Sequence, residues 1–214
     1  MFYPIRATAS SRRIPVFTIG LMLANLLVYW HQYNLRLWEE RPFVYRYAAI
    51  PAHFHSPGPI VLLTLISSMF IHGSWSHVIG NVWMLWIFGG DVEGRLGRFR
   101  FLTFYFVSGL VAMGTQVASD PASNIPCLGA SGAIAGVMGA YLWLYPTATV
   151  TTVFWPLFPI PYPKPKFFEW PAAFWLGVWI FDQVAASMSG AGGIAWFAHI
   201  GGFGGGFVLA LIMG

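Results

Sequence analysis

Three apolar segments of this 214-residue chain carry polar side chains that could do chemistry. The first contains His72, His77 and Asn81, the second contains Ser131, and the third contains His199. Polar groups are costly inside hydrocarbon, so those that occur there are candidates for function. A serine hydroxyl beside a histidine can become an activated nucleophile. These residue types therefore point to attack of a hydroxyl on a carbonyl carbon, if the fold brings them together.

The composition indicates a protein that crosses a membrane several times. Hydrophobic residues make up 57% of the chain and charged residues only 8%, whereas a soluble domain carries about 25% charged residues. The net charge is +4, but the basic residues are scattered between apolar segments. Nucleic-acid binding would need a basic patch, so we expect no nucleic-acid partner. A single cysteine, Cys127, excludes an internal disulfide framework.

Six segments are long and apolar enough to span a bilayer, which takes about 20 residues. A long connector, residues 33–69, separates the first two segments, and the stretch Thr147–Lys166 is too rich in proline for a continuous helix. We therefore expect an all-α membrane protein in which residues 1–214 form a single domain of six transmembrane helices. The connector would be a long, partly embedded outer loop between helices 1 and 2. The predicted helices cover residues of about 14–32, 70–90, 100–118, 130–145, 168–187 and 194–213.

The distribution of basic residues predicts the orientation. With a cytoplasmic N-terminus, the cytoplasmic segments hold eight of the eleven lysines and arginines, and the outer segments hold only Arg36, Arg41 and Arg46. This asymmetry follows the positive-inside rule. We expect a multi-pass protein, in a bacterial inner (plasma) membrane, with both termini in the cytoplasm. The chain ends directly after the sixth helix, so a cytoplasmic tail could have been removed.

The fourth helix is too short to span the membrane. From Ser131 to Tyr145 it would be about 22 Å long, against a hydrocarbon core of about 30 Å. Its first residue should therefore lie several ångströms below the surface, in a protein-lined or wet cavity. The same rise per residue puts His199 about 7–8 Å below the outer boundary, and His77 at a similar depth with Asn81 on the same helix face.

Ser131 would also begin its helix, where backbone N–H groups lack internal partners and lie at the positive end of the helix dipole. Such groups can bind the oxyanion that forms when a hydroxyl attacks a carbonyl. Gly129 and Gly132 leave room for a substrate backbone beside it. Small residues along helices four and six, including Gly202 and Gly206, predict close packing that would bring His199 within reach of Ser131.

Four motifs of this chain together resemble the signatures of the rhomboid family. They are His72-x4-His77-x3-Asn81, Glu93-Gly-Arg95-Leu-Gly97, Gly129-Ala-Ser131-Gly132 and Ala198-His199-x2-Gly202-x3-Gly206. Each motif alone is weak, but together they stand in the right order on the right helices. The resemblance covers essentially the whole chain and implies a six-helix rhomboid-like bundle.

The resemblance also implies an intramembrane serine endopeptidase. Ser131 would be the nucleophile and His199 the general base, with no third acid, no cofactor and no metal. His77 and Asn81, with the backbone N–H of Ser131, would form the oxyanion hole. His72, Gly129, Gly132 and Gly202 would support the site. The substrates would be single-pass or polytopic membrane proteins in the lipid bilayer, cut near the outer leaflet through an acyl-enzyme.

One position departs from the family. Some rhomboids carry an aromatic residue four positions after the serine, stacked on the base, and here that residue is Ala135. Trp196 or Phe203 could orient the ring instead. Asp182, beside Gln183 in helix five, could be a third triad member, although a residue at a helix end is more often structural.

The sequence disfavours several other functions and leaves one alternative open. No His-Glu-x-x-His run is present for a zinc protease. An aspartyl protease would need two aspartates on facing helices, but Asp91 and Asp182 should lie at opposite membrane faces. A metal site formed by the histidines would lack a carboxylate or thiolate ligand. A transporter should show paired broken helices, and no second helix matches the short helix four. Cys127 is more simply a filler than a nucleophile. A catalytically inactive rhomboid relative that binds membrane proteins is the main alternative.

Overall fold

The computed structural model describes residues 2–9, 14–56, 58–154, 165–189 and 195–214, and within these ranges the protein is mostly helical. Each of the six predicted helices has a counterpart whose ends differ by up to six residues, and two further helices lie in the connector. The helices are α1 (Val16–Tyr33), α2 (Leu37–Tyr47), α3 (Pro59–Ser67), α4 (Trp75–Leu96), α5 (Arg98–Ser119), α6 (Ser131–Leu144), α7 (Ala172–Met188) and α8 (Trp196–Met213).

A three-stranded antiparallel sheet was not expected from the sequence. Strands β1 (Phe2–Ala7), β2 (Thr149–Phe154) and β3 (Lys166–Pro171) pair in the order β1-β2-β3. The expectation of a purely α-helical chain is therefore wrong in this region. The strands are rich in threonine, valine and aromatic residues, which favour extended backbone. The predicted fifth helix begins at Ala172 rather than at residue 168, because β3 occupies the residues before it.

Helix α6 forms the centre of the bundle. Its residues Gly132–Tyr141 are all buried, and it packs against α4, α5 and α8. Large aromatic side chains close the core around it, among them Phe88, Phe104 and Tyr105, all with no exposed surface. A helix with apolar residues on every side is typical of the interior of such a bundle. Ser131 therefore stands at one end of the best-buried helix.

The motif Glu93-Gly-Arg95-Leu-Gly97, at the end of α4, fixes the start of α1. The buried carboxylate of Glu93 accepts hydrogen bonds from the backbone N–H groups of Phe17 (3.0 Å) and Thr18 (2.7 Å) and from the Thr18 hydroxyl (2.8 Å). The first N–H groups of a helix have no carbonyl partner within the helix. Glu93 thus acts as a cap supplied by α4, which joins α1 to the end of that helix.

Some of the described helices are long and apolar enough to cross a membrane on their own. Among the described residues, α5 and α8 are long and apolar enough to cross a bilayer, and Pro59–Phe70 with α4, bent by 80°, would make a third span. Helices α6 and α7 are apolar but shorter. By length and composition these helices are typical of a helical membrane protein, and the full set of six spans stays a prediction.

Candidate active site

Ser131 and His199 face each other across α6 and α8. His199 Nε2 lies 2.9 Å from Ser131 Oγ, within hydrogen-bonding distance. Ser131 is the first residue of α6, and the first backbone hydrogen bond along that helix runs from the Ile134 N–H to the Ala130 carbonyl. The N–H groups at the start of α6 thus lie beside the serine hydroxyl, as expected for a helix that begins there.

Close backbone packing brings the two residues together. A Cβ added to Gly202 would collide with the Gly132 carbonyl oxygen, and a Cβ added to Gly206 would collide with the Gly136 backbone. Backbone atoms cannot move aside as a side-chain end can, so α6 and α8 approach this closely only because glycines line the contact. The first turn of α8 is further held by Gln116 of α5, whose Oε1 accepts from the Ala198 N–H at 3.2 Å.

His77 and Asn81 lie against Gly129, two residues before the serine. Gly129 has a φ of 113°, a conformation that favours glycine. A Cβ there would be only 2.7 Å from His77 Nε2 and 3.6 Å from Asn81 Nδ2. Gly129 therefore allows both side chains of α4 to approach the start of α6. The predicted residues of helices two, four and six do meet at one place.

His72 lies just before α4 and is fully buried. Its Nδ1 lies 3.3 Å from the Phe70 carbonyl oxygen, and its Nε2 lies 2.9 Å from Asn81 Nδ2. A carbonyl only accepts, so Nδ1 carries the proton and Nε2 accepts from the Asn81 amide. The amide NH₂ keeps a second hydrogen for another acceptor. Gln32 of α1 holds the His72 backbone from both sides, by bonds of 2.7 Å and 3.3 Å.

The side chains around His199 include one that the sequence reasoning missed. Its Nδ1 lies 2.6 Å from Oε1 of Gln183 on α7. Trp179, also on α7, and Trp196 contact the ring at centroid distances of 5.9 Å and 6.2 Å. Phe203, the other suggested support, contacts Trp179 instead. The signal in the sequence is the adjacent polar pair Asp182 and Gln183 in an otherwise apolar helix. Of the two, only Asp182 was considered as a partner for the base.

Asp182 and Cys127, the two other residues considered for a catalytic role, are not suited to it. Asp182 is exposed, while its neighbour Gln183 is buried and faces His199. Cys127 is buried and exchanges two backbone hydrogen bonds with Ala49. Burial raises the pKa of its thiol to about 11, opposite to the change that activates a nucleophile. Within the described ranges, no three histidine, cysteine, aspartate or glutamate side chains are grouped to hold a metal ion.

Ser131 and His199 are in contact at the start of a helix, within a bundle of apolar helices. This is the arrangement that a serine nucleophile with a histidine base requires. The comparisons with known proteins then identify the family. The rhomboid domain model matches residues 61–214. This range is well over half of the chain, so the chain belongs to the rhomboid family.

The individual relatives come from different organisms. The human "Presenilin-associated rhomboid-like protein, mitochondrial" is 29% identical over 143 residues, covering 65% of this chain and 35% of that protein. "Rhomboid protein 1, mitochondrial" of Saccharomyces cerevisiae is 30% identical over 103 residues, covering 46% and 29%. The "Putative rhomboid protease YdcA" of Bacillus subtilis is 36% identical over 81 residues, covering 37% of this chain and 40% of that protein.

The matches cover only part of each relative, so the properties of the whole relatives do not apply to this chain directly. The matches span only about a third of the length of the curated relatives, from 29% to 40%. Two of the three relatives are named as mitochondrial, so the expectation of a bacterial plasma membrane is not supported. What the family and the apolar helices support is an integral membrane protein.

Proposed function

We propose that this protein is an intramembrane serine endopeptidase that cuts membrane proteins by a Ser–His dyad. The observation that carries the proposal is the 2.9 Å contact between Ser131 Oγ and His199 Nε2. Ser131 is the nucleophile and His199 the general base, a pairing in which the base takes the hydroxyl proton as the bond forms. Membership of the rhomboid family supports the reaction class.

The proposed first step is the attack of Ser131 Oγ on the carbonyl carbon of the scissile peptide bond. The hydroxyl proton passes to His199 Nε2, and the carbonyl electron pair becomes the oxyanion. The backbone N–H of Ser131, the free amide hydrogen of Asn81 and the ring of His77 stabilise that charge. His199 then returns the proton to the leaving amine, which leaves an acyl-enzyme that water hydrolyses.

The proposed frame is a single domain, residues 1–214, of six spanning helices corresponding to α1, α4, α5, α6, α7 and α8. The sheet supports this arrangement, because β1 precedes α1 and β2 follows α6. Paired strands lie on one side of the membrane, so the chain between them crosses an even number of times. Four crossings, by α1, α4, α5 and α6, satisfy that condition.

The substrates we propose are single-pass or polytopic membrane proteins, reached within the lipid bilayer and cut near the outer leaflet. The start of α6 lies below the membrane surface in this frame, since the helix has 14 residues and is about 21 Å long. The reaction as proposed uses neither a cofactor nor a metal.

The experiment compares the wild type with Ser131→Ala and His199→Ala on a single-pass substrate in liposomes. Each substitution should lower the cleavage rate by at least about 10³-fold, because nucleophile and base act as a unit. Labelling by a fluorophosphonate probe should be lost in the Ser131→Ala variant. Persistent cleavage by that variant would refute the nucleophile. A wild type that neither cleaves nor reacts with the probe would instead favour an inactive rhomboid relative that binds membrane proteins.

A further inference from the structure

We infer that Gln183 is the residue that positions the base: its amide oxygen holds the His199 ring in the one tautomer that can accept the Ser131 proton. This inference rests on the proposed function, and it adds a third residue to the Ser–His pair. It begins from the 2.6 Å distance between Gln183 Oε1 and His199 Nδ1.

The direction of this hydrogen bond follows from the other end of the amide. Gln183 Nε2 lies 3.4 Å from the Trp179 carbonyl oxygen, one turn earlier on α7. An amide nitrogen donates and a carbonyl oxygen accepts, so this contact directs Oε1 toward the ring. The opposite orientation would set two oxygens against each other. Oε1 is therefore an acceptor, and Nδ1 must carry the hydrogen that it receives.

The tautomer decides whether the base can work. A neutral imidazole has one N–H and one lone pair. With the hydrogen fixed on Nδ1, the lone pair is on Nε2, 2.9 Å from the Ser131 hydroxyl. Without an acceptor at Nδ1, the ring could place its hydrogen on Nε2 and would then be unable to take a proton from the serine. Gln183 thus acts through His199 and does not itself accept a proton.

The surroundings explain why a neutral amide can fill this place. Gln183 is 8% exposed, and Ala135, at the position where some rhomboids carry an aromatic support, is fully buried and too small to reach over the ring. Support therefore comes from α7, through Gln183 and the ring of Trp179. A buried carboxylate would need its charge compensated throughout the cycle, whereas an amide needs only hydrogen-bond partners.

The test uses three variants of the purified protein in detergent: Gln183→Leu, Gln183→Glu and, as a matched control, Asp182→Asn. Asp182 is the exposed neighbour on the same helix. The readouts are the second-order rate of Ser131 labelling by a fluorophosphonate, the cleavage rate as a function of pH, and thermal stability. Gln183→Leu should slow labelling by about 10- to 100-fold, because the base loses its fixed tautomer. Asp182→Asn should label like the wild type.

The Gln183→Glu variant separates positioning from a merely structural role. A carboxylate also accepts from Nδ1, so labelling at neutral pH should be restored to within about threefold of the wild type. A negative charge beside the ring favours its protonated form. Because only the neutral ring accepts a proton, the acidic limb of the pH–rate profile should move to higher pH.

Other groups around the ring do not produce that shift. His77 of α4 interacts electrostatically with His199. Helix α5 places the neutral Gln116 against the backbone N–H of the neighbouring Ala198, and α6 presents the Ser131 hydroxyl to the ring. All three are unchanged among the variants. Wild-type labelling by Gln183→Leu, equal losses in the Leu and Glu variants, or an unshifted acidic limb would each overturn the inference. A wild type without labelling or cleavage would mean that the proposed function has failed, and this inference with it.

Discussion

Several polar side chains around Ser131 have partners on other elements of the fold. Ser131 on α6 contacts His199 on α8, which contacts Gln183 on α7, and His72 before α4 is held by Gln32 on α1. A polar group buried without a partner costs about 1–3 kcal/mol. Each of these contacts therefore favours the complete bundle over any part of it, and the site geometry depends on the tertiary packing.

The sequence is sufficient to predict which serine and which histidine meet, but it does not predict what holds the histidine. Ser131 and His199 stand out because they are polar residues close to glycines in apolar helices. Gln183 and Asp182 differ by one position, which is a rotation of about 100° on a helix. The apolar residues around them do not define a single buried face, so the rotation of α7 is fixed only by its packing.

The cysteine near the serine provides a prediction at this scale. Cys127→Ala should cleave substrate like the wild type, because the thiol is buried and lies outside the Ser131–His199 contact. With its pKa raised to about 11, roughly one thiol in ten thousand is ionised at pH 7. Maleimide labelling of the wild type should therefore be slow and should increase as the pH rises toward 11. Loss of cleavage in the alanine variant, with the fold intact, would contradict this placement.

At the scale of elements, the helices were predicted better than the strands. The length of an apolar segment predicts that a buried helix exists, but not where it begins and ends. Local contacts determine the helix ends. For example, α4 begins at Trp75 because the Ser74 hydroxyl accepts from the His77 N–H at 3.1 Å. The run Thr149–Phe154 carries β-branched residues that favour a strand, yet its partners, β1 and β3, lie far away or beyond a proline-rich stretch. Pairing across such distances is not visible in a local pattern.

The contact between α6 and α8 can be tested with two glycines of the same helix. Gly206→Ala should lower thermal stability, by about 1–3 kcal/mol for an overpacked contact, and should slow Ser131 labelling as α8 is pushed away from α6. Gly204→Ala is the matched control, since a Cβ there meets no atom within 4 Å. It should leave labelling unchanged and stabilise the helix by about 0.5–1 kcal/mol. Equal effects of the two substitutions would show that the close approach is not required.

At the scale of the whole molecule, the sheet joins the two halves of the chain on one side of the helices. Strand β1 pairs with β2 in a register that places Tyr3 opposite Val153. The Pro4 carbonyl also accepts from the indole N–H of Trp83 on α4, at 2.7 Å. The N-terminal segment thus holds α4 and the segment after α6 together, away from the described contacts of Ser131.

Removal of residues 2–9 tests this separation. The truncated protein should unfold at a lower temperature, because β2 loses one of its two neighbours and Trp83 loses its acceptor. Ser131 labelling at low temperature should persist, since the contacts described for β1 are with β2 and Trp83 and not with Ser131 or His199. Trp83→Phe serves as a milder control that removes one hydrogen bond and keeps an aromatic ring. Loss of labelling in a truncated protein that is still folded would show that the sheet is coupled to the site.

The pairing of β1 with β2 also sets an order of events during synthesis. Residues 2–7 leave the ribosome well before their partners, residues 149–154, which follow almost 150 positions later. At about 5–20 residues per second, β1 waits roughly eight to thirty seconds for its partner. Helices α1 to α5 and the whole of α6 are made in that interval. Strand β1, although translated before all of these helices, therefore reaches its partner only after they have been made.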